Sequence, residues 1–139
     1  MRGASLALDT SVIVAIALDE PEADAFKSAL RGASLLIGWP TLFETRVVLA
    51  AKGFANAHDI VARLAEAPNV TPVAFERKHF EAAERALERF GKGRHPAALN
   101  MGDCFAYAVA QVAKAPLLFK GGDFGRTDLA LHPASALTA

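Results

Sequence analysis

The first apolar run of the chain reads Ser5-Leu-Ala-Leu-Asp9, and it ends in a carboxylate. Short apolar runs recur near residues 34–38, 69–75 and 116–119, with a possible fifth near 129–132. Between them, apolar residues at helical spacing predict helices near 11–18, 21–31, 40–52, 55–67, 77–91 and 102–113. Short strands that alternate with helices form parallel sheets covered on both faces. The pattern therefore predicts an α/β fold with a central, mostly parallel sheet of four to five strands and helices on both faces.

Length and composition favour a single domain over residues 1–139, because a chain of this size can bury a proper core. The hydrophobic fraction of 53% is high, and suggests a buried sheet together with an apolar oligomer interface. No apolar run approaches the ~18 residues that span a bilayer. The apolar segment before Asp9 is too short for a signal peptide. The single Cys104 fits a reducing cytoplasm.

The charges balance overall, with 15 basic and 15 acidic residues, but they are unevenly placed. Residues 85–126 contain seven Lys or Arg and only three Asp or Glu. A neutral total argues against a protein that coats nucleic acid nonspecifically. It leaves room for a local basic rim, with Lys92, Arg94, Lys120 and Arg126 as candidates. Random variation of charge on a solvated face explains the same distribution equally well.

Four carboxylates occupy positions where a soluble domain rarely places them. Asp9 ends the first strand, Glu44 lies on the apolar face of a helix, Asp103 opens an apolar helix, and Asp123 follows the fourth strand. Ligands of open α/β sheets bind beyond the carboxyl ends of the strands, so the topology brings distant acids towards one crevice. Clustered carboxylates suit a hard cation such as Mg²⁺. The sequence thus predicts a metal site.

Each acid also has a purely structural interpretation. Asp9 could cap a helix, although Thr10 or Ser11 could cap in its place. Glu44 could pair with a basic side chain, Asp103 could complement a helix dipole, and Asp123 could serve a turn. We expect Asp128 to be structural and Cys104 to be a small core residue. The histidines show no zinc-ligand spacing and are expected at the surface: His58, His79, His95 and His132.

Taken together, these residues resemble the PIN-domain ribonucleases, specifically the VapC-type toxins of bacterial toxin–antitoxin pairs. The resemblance covers essentially the whole chain, and the last two of its segments are the most specific. It rests on Leu8-Asp-Thr-Ser-Val-Ile13, Glu44 in its helix, Leu99-Asn-Met-Gly-Asp-Cys-Phe-Ala-Tyr-Ala108, and Leu117-Leu-Phe-Lys-Gly-Gly-Asp-Phe-Gly-Arg-Thr-Asp128. It implies a PIN-like three-layer domain in which Asp9, Glu44, Asp103 and Asp123 are the catalytic and metal-binding residues.

The resemblance also implies a bacterial cytoplasmic endoribonuclease that uses Mg²⁺, with Mn²⁺ possible, to cleave RNA. It implies a small cognate antitoxin and a homodimer, supported by the apolar helices 40–51 and 102–113. A haloacid-dehalogenase phosphatase would need an acid where Ser11 stands, and a phosphoreceiver domain would need one ending its third strand. The alternative left open is a catalytically degenerate PIN-like domain that acts only as a binding partner.

Overall fold

The computed structural model describes residues 4–93, 95–122 and 124–137. The helices of this part of the chain are α1 (Thr10–Ala17), α2 (Ala23–Leu30), α3 (Trp39–Ala51), α4 (Ala57–Glu66), α5 (Arg77–Phe90) and α6 (Met101–Ala113). Its strands are β1 (Ser5–Leu8), β2 (Ser34–Gly38), β3 (Val70–Val73), β4 (Leu117–Leu118), β5 (Lys120–Gly121) and β6 (Ala136–Leu137). A 3-10 turn spans Phe124–Arg126.

The first four strands form one parallel sheet in the order β3-β2-β1-β4, which confirms the predicted parallel architecture. Strands β5 and β6 form a separate parallel pair. The prediction of a possible strand near 129–132 was wrong, because that segment forms only an isolated bridge, between Leu131 and Leu117. Pro133 follows and has no amide hydrogen with which to extend the ladder. The strand that does form in this region, β6, lies further along the chain.

Alternation along the inner strands divides the core into two layers. Leu6 and Leu8 of β1 point into one cluster, and Ala7 points into the other. The first cluster contains buried side chains of α1 and α2, and α4 packs against it. The second is built mainly from α5 and α6. Helices therefore cover both faces of the sheet. Because β1 and β4 are paired in parallel, their carboxyl ends lie at the same edge of it.

Helix α6 is covered largely within the chain itself. Its middle section is buried from Ala106 to Ala110, packed mainly against α5 and also against α3, β1 and β2. The middle of this helix is therefore not part of the apolar surface that the sequence led us to associate with a homodimer, and the homodimer itself stays a prediction. Only its first turns contribute, through the exposed Met101 and the half-buried Phe105.

None of the helices in the described part of the chain is long and apolar enough to cross a membrane.

Candidate functional site

Asp9 lies where the inner strand β1 passes into α1. Its backbone is extended, its carboxylate accepts a hydrogen bond from the amide of Ser11 (3.0 Å), and it is the N-cap of α1. The Asp9 amide donates to the carbonyl of Leu118 (3.1 Å), which ties the residue to the end of β4. Of the two capping alternatives that the sequence left open, the structure has the one in which Asp9 itself caps α1. One side chain thus ends the strand, begins the helix and carries the charge at this edge.

Glu44 reaches the same edge from α3. The hydroxyl of Thr10, the residue after Asp9, donates to its Oε1 atom (2.7 Å). The other side of the carboxylate lies against Gly102, so closely that a Cβ at this position would overlap it. Among the residues that the structure describes, Glu44 makes no ion pair, so the salt-bridge alternative is not realised there.

Asp9 and Glu44 influence each other electrostatically. Burial raises the pKa of Asp9 from 3.8 to about 6. Hydrogen bonds from Ser11 oppose this change in the pKa, whereas the negative charge of Glu44 adds to it. Only 7% of Asp9 is exposed. Two acids that share a poorly hydrated edge gain stability when a cation lies between them.

Asp103 lies in the first turn of α6. It stands one residue after Gly102, and its Oδ2 atom accepts from the amide of Asn100 (3.0 Å) while Asn100 Oδ1 accepts from the Asp103 amide (2.9 Å). This reciprocal capping box gives Asp103 a structural role at the helix start. It also directs the carboxylate of Asp103 towards the loop that precedes α6.

Asp123 lies outside the described residues. Within the ranges 4–93, 95–122 and 124–137, no three His, Cys, Asp or Glu side chains stand close enough to hold a metal ion. The structure therefore brings together Asp9 and Glu44 and puts Gly102, the residue before Asp103, against Glu44, without closing a three-acid cluster among these residues.

The candidate basic rim is only partly available. The amine of Lys120 pairs with Glu22 (3.0 Å) and Glu20 (3.3 Å), so its charge is already compensated. The hydrogen bond from Lys120 also lowers the pKa of Glu22. Lys92 and Arg126 are exposed, and Arg94 lies outside the described residues.

Most secondary candidates are structural. Asp128 accepts from the hydroxyl of Tyr107 (2.6 Å) and pairs with Arg89 (3.1 Å), as expected of a structural residue. Cys104 is buried, and burial raises the pKa of its thiol to about 11, which leaves it protonated. The surface prediction was wrong for His79, which is 3% exposed because its Nδ1 atom accepts from the Glu76 amide in a capping box.

Three residues of the site were missed by the sequence analysis: Thr10, Thr45 and Gly102. Thr10 and Thr45 are buried with their hydroxyl oxygens 3.0 Å apart, behind Glu44. A threonine looks like an ordinary cap or core residue in sequence, so neither gave a signal. Gly102 did give one, because a glycine in the first turn of a helix is unfavourable unless something approaches closely.

The donor atoms at this edge suit a hard divalent cation. Asp9 and Glu44 offer carboxylate oxygens, the ligands that hard cations prefer. Glycine at position 102 provides a cradle that holds Glu44 close to the start of α6. The residues present therefore fit a divalent cation that prefers oxygen ligands.

The sequence matches the model of the PIN domain over residues 6–129. It is 44% identical over 124 residues to VapC36, a ribonuclease of Mycobacterium tuberculosis, covering 88% of this chain and 89% of that protein. It is 39% identical over 127 residues to the ribonuclease VapC of Mycolicibacterium smegmatis, covering 90% of this chain and 98% of that protein.

Solved structures show the same fold at lower identity. The Mycobacterium tuberculosis toxin VapC20, which cleaves the sarcin-ricin loop, superposes with a TM-score of 0.74 at 18% identity, covering 90% of this chain and 96% of that one. A toxin–antitoxin complex from Klebsiella pneumoniae gives 0.69 at 18% identity, covering 92% and 97%. With the parallel sheet and the acids at the end of β1, these matches lead to one assignment: the chain belongs to the PIN-domain family, among its VapC ribonucleases.

Proposed function

We propose that this chain is a divalent-metal-dependent endoribonuclease in which Asp9, Glu44, Asp103 and Asp123 hold Mg²⁺ or Mn²⁺. The observation that carries the proposal is the buried Asp9 beside Glu44 at the end of an inner strand. Two acids kept close together at a cost in stability are typical of a functional site. The chain's identity to VapC ribonucleases supports RNA as the substrate.

The mechanism follows from how each acidic side chain is positioned. Asp9 is locked by its role as the cap of α1, and Glu44 by the hydroxyl of Thr10. A divalent ion bound there would polarise the scissile phosphate and lower the pKa of an attacking water. Asp103, steadied by its capping box, and Asp123 would complete the ligand set. The exposed Lys92 and Arg126 would attract the phosphate backbone by charge.

We further propose that the chain is the toxin of a VapBC-type pair and is inhibited by a small antitoxin. Helix α3 presents Trp39, Phe43 and Val47 at spacings of four residues, and Phe43 is 70% exposed. This α3 stripe adjoins Glu44 in sequence, so a peptide that covers it can direct an Arg or Lys to the carboxylates. Inhibition by such a cation would be competitive with the metal ion.

A homodimer is part of the same proposal. Between α5 and α6 lies an apolar groove of about 380 Å³, in which Glu84 is the one charged residue among the described lining. Phe80, Leu87 and Met101 stand exposed along it, although large apolar side chains on a free surface are unfavourable. We assign this groove, the α5–α6 groove, to the second copy.

A second candidate is a PIN-like domain that only binds partners. The observation that favours it is the absence of a three-ligand cluster among the described residues, with Asp103 turned to its own helix cap. Metal binding without RNA cleavage, or neither, would support this alternative.

RNA cleavage by the purified full chain tests the proposal. We expect cleavage of single-stranded RNA in Mg²⁺ or Mn²⁺ and none in excess EDTA. Asp9→Asn and Asp103→Asn should each abolish it while the fold stays intact, because asparagine preserves both helix caps. Asp24→Asn, on the exposed side of α2, is the matched control and should cleave normally. Full cleavage in EDTA or by Asp9→Asn would refute the mechanism.

The antitoxin proposal is tested by co-expression with the small protein encoded next to this chain. The wild type should copurify with that protein, which should also relieve growth arrest. Phe43→Glu should lose the complex, whereas Thr71→Glu, at another exposed position on β3, should retain it. A Phe43→Glu variant that still binds and is still neutralised would remove the α3 stripe from the proposal.

A further inference from the structure

Glu44 is held on two sides by groups from two other helices. On one side, the Thr10 hydroxyl of α1 donates to its Oε1 atom at 2.7 Å. On the other side, Gly102 of α6 leaves the space that the carboxylate occupies, and a Cβ there would overlap both carboxylate oxygens and the carbon between them. The orientation of Glu44 therefore depends on α1 and α6 as much as on its own helix.

The Thr10 hydroxyl is part of a buried chain of hydroxyl groups. Its oxygen lies 3.0 Å from that of Thr45, and the Thr45 hydroxyl also lies 2.8 Å from the carbonyl of Thr41. A hydroxyl has one hydrogen, and a carboxylate is a stronger acceptor than a second hydroxyl or a carbonyl. Thr10 therefore donates to Glu44, and its lone pairs face Thr45. The other acceptors within reach of the Thr10 hydroxyl are the Thr41 carbonyl at 3.4 Å and the Thr45 oxygen, and both are weaker than the Glu44 carboxylate.

A carboxylate that is confined in this way is already ordered before a metal ion binds. Its side chain therefore loses less conformational entropy on binding than a free side chain would. A free Glu side chain has several rotatable bonds, and fixing them costs conformational entropy. The contacts with Thr10 and Gly102 fix Glu44 beside Asp9 before any ion arrives. Groups outside the ligand set commonly tune metal affinity through such contacts.

We infer that Thr10 and Gly102 are positioning residues for Glu44, and that they hold its carboxylate where it can share a divalent cation with Asp9. Thr10 acts through the hydrogen of its hydroxyl. Gly102 acts through the absence of a side chain. The inference rests on the proposed metal site, and it adds two residues that touch neither the ion nor the substrate.

Calorimetric titration of the metal-free full chain with Mn²⁺ is the primary test. Thr10→Val keeps the shape of the side chain and removes the hydroxyl, and it should raise the Mn²⁺ dissociation constant by about tenfold. Thr10→Ser keeps the hydroxyl and should bind nearly as the wild type does. Thr71→Val, exposed on β3, is the matched control and should bind unchanged. Equal affinity of wild type and Thr10→Val would overturn the role of Thr10.

Gly102→Ala supplies an independent variant in case Thr10→Val does not fold. The added methyl should displace Glu44 and weaken Mn²⁺ binding, and in EDTA it should also lower the free energy of unfolding. In a Glu44→Ala background the same change should no longer destabilise, because the group that it displaces is gone. Equal destabilisation in both backgrounds would overturn the inference. Absence of Mn²⁺ binding by the wild type would instead refute the proposed metal site, while the unfolding cycle would still decide whether Gly102 accommodates Glu44.

Discussion

Asp9 serves structure and function with one carboxylate. As an N-cap it satisfies an amide at the start of α1, which stabilises helices by about 1 kcal/mol. As a buried anion beside Glu44 it acts against folding, because burial and the neighbouring charge both favour its protonated form. Asparagine caps about as well as aspartate, so a single substitution can separate the two effects.

The first prediction concerns the stability of Asp9→Asn without metal. The folded-state pKa of Asp9, about 6, lies above its ordinary value of 3.8. The native state therefore binds the proton more tightly than the unfolded state, and wild-type stability falls as the pH rises from about 4 to 6. Above pH 6, Asp9→Asn in EDTA should be more stable by up to about 3 kcal/mol. Urea unfolding across this pH range provides the measurement.

At pH 4 the two proteins should unfold at similar urea concentrations, because Asp9 is then largely protonated when folded. Adding Mn²⁺ at pH 7 should stabilise the wild type and leave Asp9→Asn nearly unchanged. A wild type that is more stable than Asp9→Asn in EDTA at pH 7 would contradict the electrostatic account of this edge.

The second prediction concerns Glu44. Replacing it with Gln keeps its size and removes its charge, so Glu44→Gln should fold normally and lose turnover by orders of magnitude. The matched control is Glu88→Gln on the exposed side of α5, which should change stability by less than about 0.5 kcal/mol and leave turnover alone. Thr45→Ala is unsuitable as a control, because the Thr45 hydroxyl contacts Thr10. Wild-type turnover in Glu44→Gln would exclude Glu44 from the site.

At the scale of elements, the start of α6 links helix stability to the site. Asn100 and Asp103 close a reciprocal capping box, and Gly102 lies between them against Glu44. The turn that begins the helix therefore also places a candidate ligand. In the loop before α6, Ala98 has a positive φ of 53°, a backbone conformation that is unfavourable for a residue other than glycine.

The third prediction tests this cap. Asn100→Ala removes the side-chain acceptor for the Asp103 amide and should lower the free energy of unfolding by about 1 kcal/mol. Asn100→Ser retains an acceptor and should change it much less. Urea unfolding of the two variants checks the difference. If Asn100→Ala were as stable as the wild type, the capping box would not be a stabilising feature of α6.

At the scale of the whole molecule, the charge is balanced and the apolar surface is concentrated. Two regions stand out in the described part of the chain, the α3 stripe and the α5–α6 groove. The two core layers thus bury only part of the chain's hydrophobic side chains. Surfaces of this kind normally serve an interaction.

The fourth prediction concerns assembly. Phe80→Glu places a charge in the α5–α6 groove and should convert a dimer to a monomer, because burying an unpaired carboxylate is unfavourable. Gln111→Glu, on the exposed side of α6, adds the same charge elsewhere and should leave the dimer intact. Light scattering at micromolar concentration distinguishes the two states. A monomeric wild type would remove the dimer, and a dimeric Phe80→Glu would exclude this groove as its interface.

Much of the fold could be predicted from local patterns. The four parallel strands and six helices follow from apolar runs of strand length separated by helical periodicity, and both patterns depend only on neighbouring residues. The two missed strands, β5 and β6, show the limit. Ala136–Leu137 is too short to carry a pattern, and it pairs only because β5 lies beside it. His79 shows the same limit, because its burial comes from a cap and from packing on Phe75.

The sequence by itself determined the type of fold, the resemblance to VapC ribonucleases and the four candidate acids, because those depend on composition, spacing and residue type. Only the tertiary structure decided how the described acids are held. Asp9 caps α1, Asp103 is part of a capping box, and Lys120 forms ion pairs with Glu20 and Glu22. Glu44 met Thr10 and Gly102 from two other helices. Such contacts join residues tens of positions apart, and they exist only once the packing of the helices has brought those residues within hydrogen-bonding distance.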